Sequence, residues 1–259
     1  MKVYLNSITG IDDAIVSMYM SKRTWTRELE LKIRDAYKHF TTRDGRLVTI
    51  IKDEDSEYFQ WFQKQMQICF KCGKKHFTML RFADISFTVE GLHRAGQDDW
   101  DSHAQRFNNR IIRSSTRLAA YESGEMSDWY KDKIMPTDIA LTALGINTPE
   151  KIYKSGNIVT TNIDDVINEK YQTYTRMVNG YILEKMKDDK DVKRGLYMLS
   201  IPSNFLCKVN ITELAHCIKE RDKNGTANPE VKLFVEDLLS QITEWYDFID
   251  RELFYSIDN

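Results

Sequence analysis

Residues 82–91 alternate strictly between apolar and polar side chains. In chain order they include Ala83, Asp84, Ile85, Ser86, Phe87, Thr88, Val89 and Glu90. A repeat of two residues is typical of a β-strand that buries one face and exposes the other to solvent. The chain is therefore predicted to contain a sheet with one face on a hydrophobic core.

The rest of the chain is rich in apolar residues at helical spacing. A short strand is predicted over residues 1–9, and a turn is predicted at Asp44-Gly45. Asn228 and Pro229 have the residue types of a helix cap and a first helical turn. The predicted helices cover residues 12–40, 57–70, 91–121, 164–186, 211–220 and the residues after Asn228. Without repeats or a low-complexity linker, residues 1–259 are predicted to form one mixed α+β domain, with an insertion around residues 122–163.

Composition excludes several classes of protein. The chain has 259 residues, of which 42% are hydrophobic, and a formal net charge of −2. These values exclude a disordered chain and argue against a wholly basic nucleic-acid binder. No apolar run approaches the roughly 20 residues that span a bilayer, and the N-terminus lacks an apolar signal core. A soluble cytoplasmic protein with no membrane partner is expected, and its four cysteines are expected to be reduced thiols.

A row of arginines lies in a segment without acidic residues, 104–121. Its members are Arg106, Arg110, Arg113 and Arg117. If the segment is helical, these spacings place all four guanidinium groups on one face. Such a row is suited to an anionic ligand, either a small phosphorylated molecule or a nucleic-acid backbone. The alternative is a solvated basic face, or an interface with acidic residues of another subunit.

Other ligand motifs are absent or weak. No GxGxxG or GxxxxGK[ST] motif occurs, so a dinucleotide must be held in another way. Cys69, Cys72 and His76 resemble half of a zinc site, and His216-Cys217 offers two more ligands. The two halves are more than 130 residues apart in the sequence. No metal is therefore expected.

Several short segments together resemble the flavin-dependent thymidylate synthases. They are VNITELAHCIKER over 209–221, ANPEV over 227–231, His76-Phe77-Thr78, Phe87-Thr88-Val89 and Ser115-Thr116-Arg117. The family's Gln-x-x-Arg-His-Arg signature aligns with DWDSHA over 99–104, where this chain keeps only His103. The resemblance implies a small, mostly antiparallel sheet flanked by long helices.

The resemblance also implies roles for individual residues. Arg221 is expected to hydrogen-bond the uracil of dUMP and to stabilise charge that develops on the ring. Ser115 and Arg117 are expected to hold the phosphate and sugar of dUMP, with Arg113 beside them. The residues expected to lie against FAD are Thr78, His103, Asn210 and His216, and Arg106 and Arg110 are expected to replace the missing signature arginines.

The reaction implied is the transfer of a one-carbon unit from methylenetetrahydrofolate to C5 of dUMP, giving dTMP. FAD is the implied cofactor, NADPH and methylenetetrahydrofolate are the implied co-substrates, and a homotetramer is the implied assembly. Two alternatives stay open at this point. One keeps the fold but modifies a nucleotide differently, and the other is a non-enzymatic module that binds phosphate or nucleic acid. The near-neutral charge argues against nucleic acid.

Overall fold

The computed structural model describes residues 1–50, 57–102, 110–114, 152–154, 157–159, 202–222 and 228–256. The strands are β1 (Lys2–Thr9), β2 (Phe40–Arg43), β3 (Arg46–Thr49), β4 (Asp84–His93), β5 (Arg110–Arg113), β6 (Ile152–Lys154), β7 (Asn157–Val159) and β8 (Pro202–Asn210). The α-helices are α1 (Ile11–Ser21), α2 (Arg27–Tyr37), α3 (Glu57–Gly73), α4 (Arg94–Ser102), α5 (Ile211–Asp222), α6 (Pro229–Trp245) and α7 (Leu253–Ser256). A 3-10 helix covers Phe77–Phe82.

The chain divides into two compact units. The larger unit contains residues 2–92, 96–113 and 204–259, and the smaller unit contains residues 1, 93–95 and 114–203. Within the smaller unit, the structure describes an antiparallel hairpin of β6 and β7, with Ile152 opposite Val159. The predicted helix over 164–186 and most of the expected insertion lie outside the described residues. The single domain stays a prediction.

The main sheet has four strands in the order β1-β4-β8-β5. β1 and β4 are antiparallel, with Val3 opposite Val89, and β5 and β8 are antiparallel, with Ile111 opposite Cys207. β8 also runs opposite to β4, because the Ile211 N–H after the end of β8 bonds to the Ala83 carbonyl before the start of β4. The predicted α+β class with a small antiparallel sheet is confirmed.

The alternating pattern of residues 82–91 places one side of β4 in the core. Ile85, Phe87 and Val89 are fully buried, whereas Glu90 on the other side is exposed. The core beneath the sheet contains an aromatic cluster of Phe87, Trp100, Phe205 and Phe234. The rings of Trp100 and Phe234 meet edge to face, with 4.8 Å between centroids. This packing anchors α4 against the sheet and α6.

The first predicted helix, over 12–40, is two helices. α1 begins at Ile11, directly after Gly10, whose φ of 75° is left-handed. The break between α1 and α2 contains Arg23 at φ 57°. Thr26 then caps α2, because its hydroxyl oxygen accepts the Leu29 N–H at 3.1 Å. The apolar spacing did not reveal this break, since both helices bury residues in the same core.

The predicted turn at Asp44-Gly45 is confirmed. It joins β2 to β3 as a two-residue hairpin loop with positive φ at both residues, 49° and 80°. Asp-Gly is suited to this loop because both residues tolerate left-handed backbone. A Cβ at Gly45 would lie 1.9 Å from the Trp245 ring, so only hydrogen fits between the turn and α6. The glycine is thus required by both backbone and packing.

The helix predicted over 91–121 is wrong at 91–93, which end β4, and at 110–113, whereas 103–109 and 115–121 lie outside the described residues. α4 ends at Ser102, and Arg110–Arg113 is a strand instead. The strand β8 was not predicted either, although Phe205, Cys207 and Val209 alternate with more exposed residues along it. The predicted helices at 57–70, 211–220 and after Asn228 are confirmed by α3, α5 and α6.

Candidate functional site

Three predicted site residues lie on or directly before the helix α5, and two of them mark its ends. Asn210 stands immediately before it, and the Asn210 side-chain oxygen accepts the Glu213 N–H at 2.9 Å. Arg221 lies in its last turn. Eleven residues at a rise of about 1.5 Å separate these positions by roughly 16 Å. One rigid helix therefore fixes the positions of Arg221, which is expected at the uracil, and of Asn210, which is expected at the flavin.

The N-terminal end of α5 lies beside the 3-10 helix. The Thr212 hydroxyl donates to the carbonyl of Phe77 at 3.2 Å. Thr78, the next residue, is exposed. The structure therefore brings two residues with predicted flavin contacts, Thr78 and Asn210, to the same end of α5. His216 is half-buried further along the helix.

At the C-terminal end of α5, Arg221 is only 4% exposed and forms an ion pair with Asp99 of α4. The Asp99 carboxylate is 3.2 Å from the guanidinium, and Arg221 also donates to the Asp99 main-chain carbonyl. The same carboxylate accepts the Asn228 N–H at 3.2 Å. Asn228 in turn caps α6 by accepting the Glu230 N–H at 3.0 Å. Asp99 thus connects three helices at one point.

Arg110 and Arg113 do not share a face, because they lie three residues apart on a strand rather than on a helix. Arg110 pairs with Asp84 at 2.5 Å. Arg113 pairs with Asp98 and Asp101 and donates to the Gln97 carbonyl at 3.2 Å. The prediction that the arginines share one helical face is therefore wrong for Arg110 and Arg113. Acids of the same chain lie against both of them.

The remaining predicted site residues, His103, Arg106, Ser115 and Arg117, lie outside the described residues. Their expected roles at the flavin and at dUMP stay predictions. The expected contacts of Arg113 with dUMP and of Arg110 with the flavin stay predictions as well, and each would be made beside a carboxylate.

The model of the family described as thymidylate synthase complementing protein, Thy1, matches residues 30–246. That span is most of the chain. The chain belongs to the Thy1 family. No curated protein matches the sequence.

Solved structures agree with the Thy1 fold. A flavin-dependent thymidylate synthase ThyX from Helicobacter pylori, crystallised with FAD and dUMP, has a TM-score of 0.55 and 14% identity, covering 96% of this chain and 100% of that one. The UMP/dUMP methylase PolB from Streptomyces cacaoi, bound with 5-Br dUMP, has a TM-score of 0.54 and 10% identity, covering 99% of this chain and 95% of that one. At such identity the likeness establishes the fold.

Three cysteines of this Thy1 protein, Cys69, Cys207 and Cys217, are poor ligands and poor nucleophiles. All four cysteines of the chain are free thiols, and burial raises the pKa of Cys69 and Cys207 to about 12 and that of Cys217 further. A thiol with so high a pKa stays protonated at neutral pH, whereas metals and electrophiles require the thiolate. Within the described ranges, no three His, Cys, Asp or Glu residues cluster as a metal site.

Two cavities lie away from the predicted site of this Thy1 protein. One, of about 560 Å³, is lined by residues of β1, of the hairpin turn and of α6, including Asp44, Gln241 and Trp245. The other, of about 270 Å³, lies between β2, β3, α3 and the end of α6. None of the predicted site residues lines either cavity.

Sequence reasoning missed Asp99. Its partner Arg221 is 122 positions away, so local spacing does not relate the two. The one available signal is alignment, since Asp99 stands where the family signature has glutamine.

None of the helices in the described part of the chain is long and apolar enough to cross a membrane.

Proposed function

We propose that this protein transfers a one-carbon unit from methylenetetrahydrofolate to C5 of dUMP, giving dTMP, with FAD as cofactor and NADPH as reductant. The Thy1 match over residues 30–246 supports the proposal. So do the neighbours, one crystallised with FAD and dUMP and another with 5-Br dUMP. These relationships favour a nucleotide-modifying enzyme over a purely structural protein.

The observation that carries the proposal is the position of Arg221. A guanidinium that is 4% exposed is held at the end of α5, where the resemblance places the arginine that contacts uracil. A fixed, desolvated donor next to a pyrimidine carbonyl would stabilise negative charge on the ring, and this charge makes C5 nucleophilic towards the one-carbon unit. The Asp99 contacts hold that donor in place before substrate binds.

The residues at the other end of α5 fit a flavin. The Thr78 hydroxyl and the Asn210 amide nitrogen are polar donors that bond to no other described residue, and both lie at this end of the helix. The edge of an isoalloxazine ring carries carbonyl and nitrogen acceptors that such donors match. FAD, when bound, would supply the hydride. Thr78 and Asn210 would orient the ring, while Arg221 holds the base at the far end of α5.

The test uses purified protein incubated with FAD. The proposal expects visible flavin absorption bands that stay with the protein through gel filtration, and dTMP formation from dUMP, methylenetetrahydrofolate and NADPH by mass spectrometry. Arg221→Lys should lower kcat by about 100-fold, as loss of a preorganised donor does. Glu236→Gln, in a surface pair with Arg251, is the matched control and should not change kcat. Protein that takes up no FAD would contradict the proposal.

A second candidate reaction is a different modification of the same nucleotide class. Asp99 and Ser102 stand at signature positions that carry glutamine and arginine in the resemblance, and Asp98 and Asp101 lie against Arg113. This segment therefore has more negative charge than the signature predicts. Mass spectrometry of the product distinguishes the candidates, because clean dTMP eliminates the second one.

These observations give less support to a non-enzymatic module that binds phosphate. Arg110 and Arg113, two members of its proposed binding row, lie against Asp84, Asp98 and Asp101. Binding a phosphate backbone there would require these ion pairs to break or to accept a third charge.

A further inference from the structure

The cavity between the β2–β3 hairpin, α3 and the end of α6, the hairpin cavity, has an apolar floor and a polar rim. Its volume is about 270 Å³, which roughly nine waters of about 30 Å³ each would fill. Pockets for larger organic ligands usually have about 300 to 1,000 Å³. The hairpin cavity is therefore sized for one aromatic ring or a short alkyl chain and is too small for a nucleotide.

The floor of the hairpin cavity is held in place by the core. Met66, Phe40 and Phe248 line it, and Met66 and Phe248 are buried. The Phe248 ring meets the Phe70 ring edge to face, with 5.0 Å between centroids. Phe40 packs on Phe62 with 5.2 Å between centroids. The floor is thus formed in advance, so an apolar ligand gains contact without reordering the core.

Three acceptors on the rim have no hydrogen-bond partner among the described residues. Asp247, Gln63 and Gln67 line the hairpin cavity, and all three are exposed. The two glutamines are four residues apart on α3, so their side chains leave the same face of that helix. One carboxylate and two amide oxygens therefore stand around a single opening.

The charged residues that line the hairpin cavity are Arg46, Glu244 and Asp247, with a net charge of one carboxylate. Arg46 and Glu244 lie 3.8 Å apart and offset each other. The Arg46 guanidinium also lies over the Trp245 ring, 5.5 Å from its centroid. The charge of Asp247 is left without compensation within the lining. A cation is therefore favoured over a neutral or anionic ligand of the same shape.

A primary ammonium group has three N–H donors and no acceptor, which matches the three acceptors on the rim. We infer that the hairpin cavity binds a small primary ammonium ion with an apolar body. The ammonium bonds to Asp247 and the two glutamines, and the apolar body lies on the floor. The inference does not depend on the proposed function, because none of the predicted site residues lines this cavity.

The experiment measures dissociation constants by titration calorimetry on the full chain, with 2-phenylethylammonium as the probe. Two comparison ligands share its apolar body. They are neutral 2-phenylethanol and (2-phenylethyl)trimethylammonium, which keeps the charge but has no N–H donor. Wild-type protein should bind the probe at least about tenfold more tightly than either of them, since this is the usual effect of hydrogen bonds to charged groups.

Two variants locate the probe on the rim. Asp247→Asn should weaken its binding by about tenfold and leave the binding of 2-phenylethanol unchanged. Gln67→Leu, which removes a neutral acceptor, should weaken it by about threefold. Glu236→Gln removes a carboxylate of α6 outside the hairpin cavity, in the surface pair with Arg251, and should change neither affinity.

Three results would overturn the inference. They are a probe that does not bind at millimolar concentration, equal wild-type affinity for the probe and 2-phenylethanol, and unchanged affinity of Asp247→Asn for the probe. Should Asp247→Asn fail to fold, Gln67→Leu and the wild-type comparison decide.

Discussion

A guanidinium that is removed from water must find acceptors in the protein, and Arg221 finds two of them on one residue. Asp99 offers its carboxylate and its main-chain carbonyl to the same guanidinium. Removing one partner of a buried ion pair usually costs about 3 to 5 kcal/mol, because the other charge is left without compensation. Asp99 is therefore expected to contribute to the stability of the fold through its contacts with Arg221.

Gly45 illustrates a second constraint on a single residue. Gly45→Ala should lower the free energy of unfolding by about 1 to 3 kcal/mol, because the new Cβ needs a left-handed backbone and overlaps the Trp245 ring. Asp44→Gly, at the preceding position with φ 49°, is the matched control and should be neutral or slightly stabilising. Urea denaturation measures the free energy of unfolding of both variants. Equal stability of Gly45→Ala and wild type would show that the turn does not contact α6 as described.

At the level of elements, α1 and α2 are joined by a network of charges centred on Arg34. Its guanidinium contacts Glu30 at 3.0 Å, Asp12 at 3.0 Å and Asp13 at 2.9 Å. Arg34, followed by Arg27, lowers the pKa of Glu30 from its ordinary value of 4.5. Burial acts in the opposite direction on Asp12 and raises the pKa of that carboxyl. The two carboxylates therefore respond differently to acid.

The lowered pKa of Glu30 gives a pH dependence with a defined sign. Glu30 stabilises the fold above its ordinary pKa, and this contribution is lost as the pH falls through the lowered value. Glu30→Gln should therefore be less stable than wild type near pH 7, and the difference should shrink towards about pH 3. Urea denaturation of both proteins at pH 7 and at about pH 3 measures this difference in the free energy of unfolding. Glu28→Gln, an exposed acid of the same helix, serves as the control. A difference that grows in acid would contradict the assignment.

The elements also indicate what the sequence can predict. The strand β4, the turn at Gly45 and the start of α6 at Asn228 depend on local patterns, and all three were predicted. β5 has four residues, too few to outweigh an arginine spacing that resembles a helix. The ion pair of Asp99 with Arg221 depends on tertiary packing of α4 against α5, which no local pattern encodes. The family motifs located Arg221 but not its partner.

For the whole molecule, two exposed apolar residues of the sheet bear on the homotetramer that the family resemblance implies. Ile112 of β5 and Leu206 of β8 are opposite each other in the register, and both are exposed. Contiguous exposed apolar patches are common where proteins associate, and this pair could form part of one. The two arginines of this strand, Arg110 and Arg113, already have acidic partners in the same chain.

The proposed assembly predicts a specific mass. Four chains of 30.5 kDa should give a particle of about 122 kDa by light scattering coupled to gel filtration. The mass should be the same with and without dUMP if the assembly precedes substrate binding. A particle of 30.5 kDa at micromolar concentration would contradict the homotetramer.

Gln241 of α6 protects an edge of the sheet against aggregation. Its side chain accepts the Leu5 N–H at 3.0 Å and donates to the Val3 carbonyl at 2.9 Å, so one amide takes the place of a further strand along the edge of β1. An unpaired strand edge is a template on which other chains add. Loss of the Gln241 side chain is therefore expected to cause aggregation on standing before it causes loss of activity.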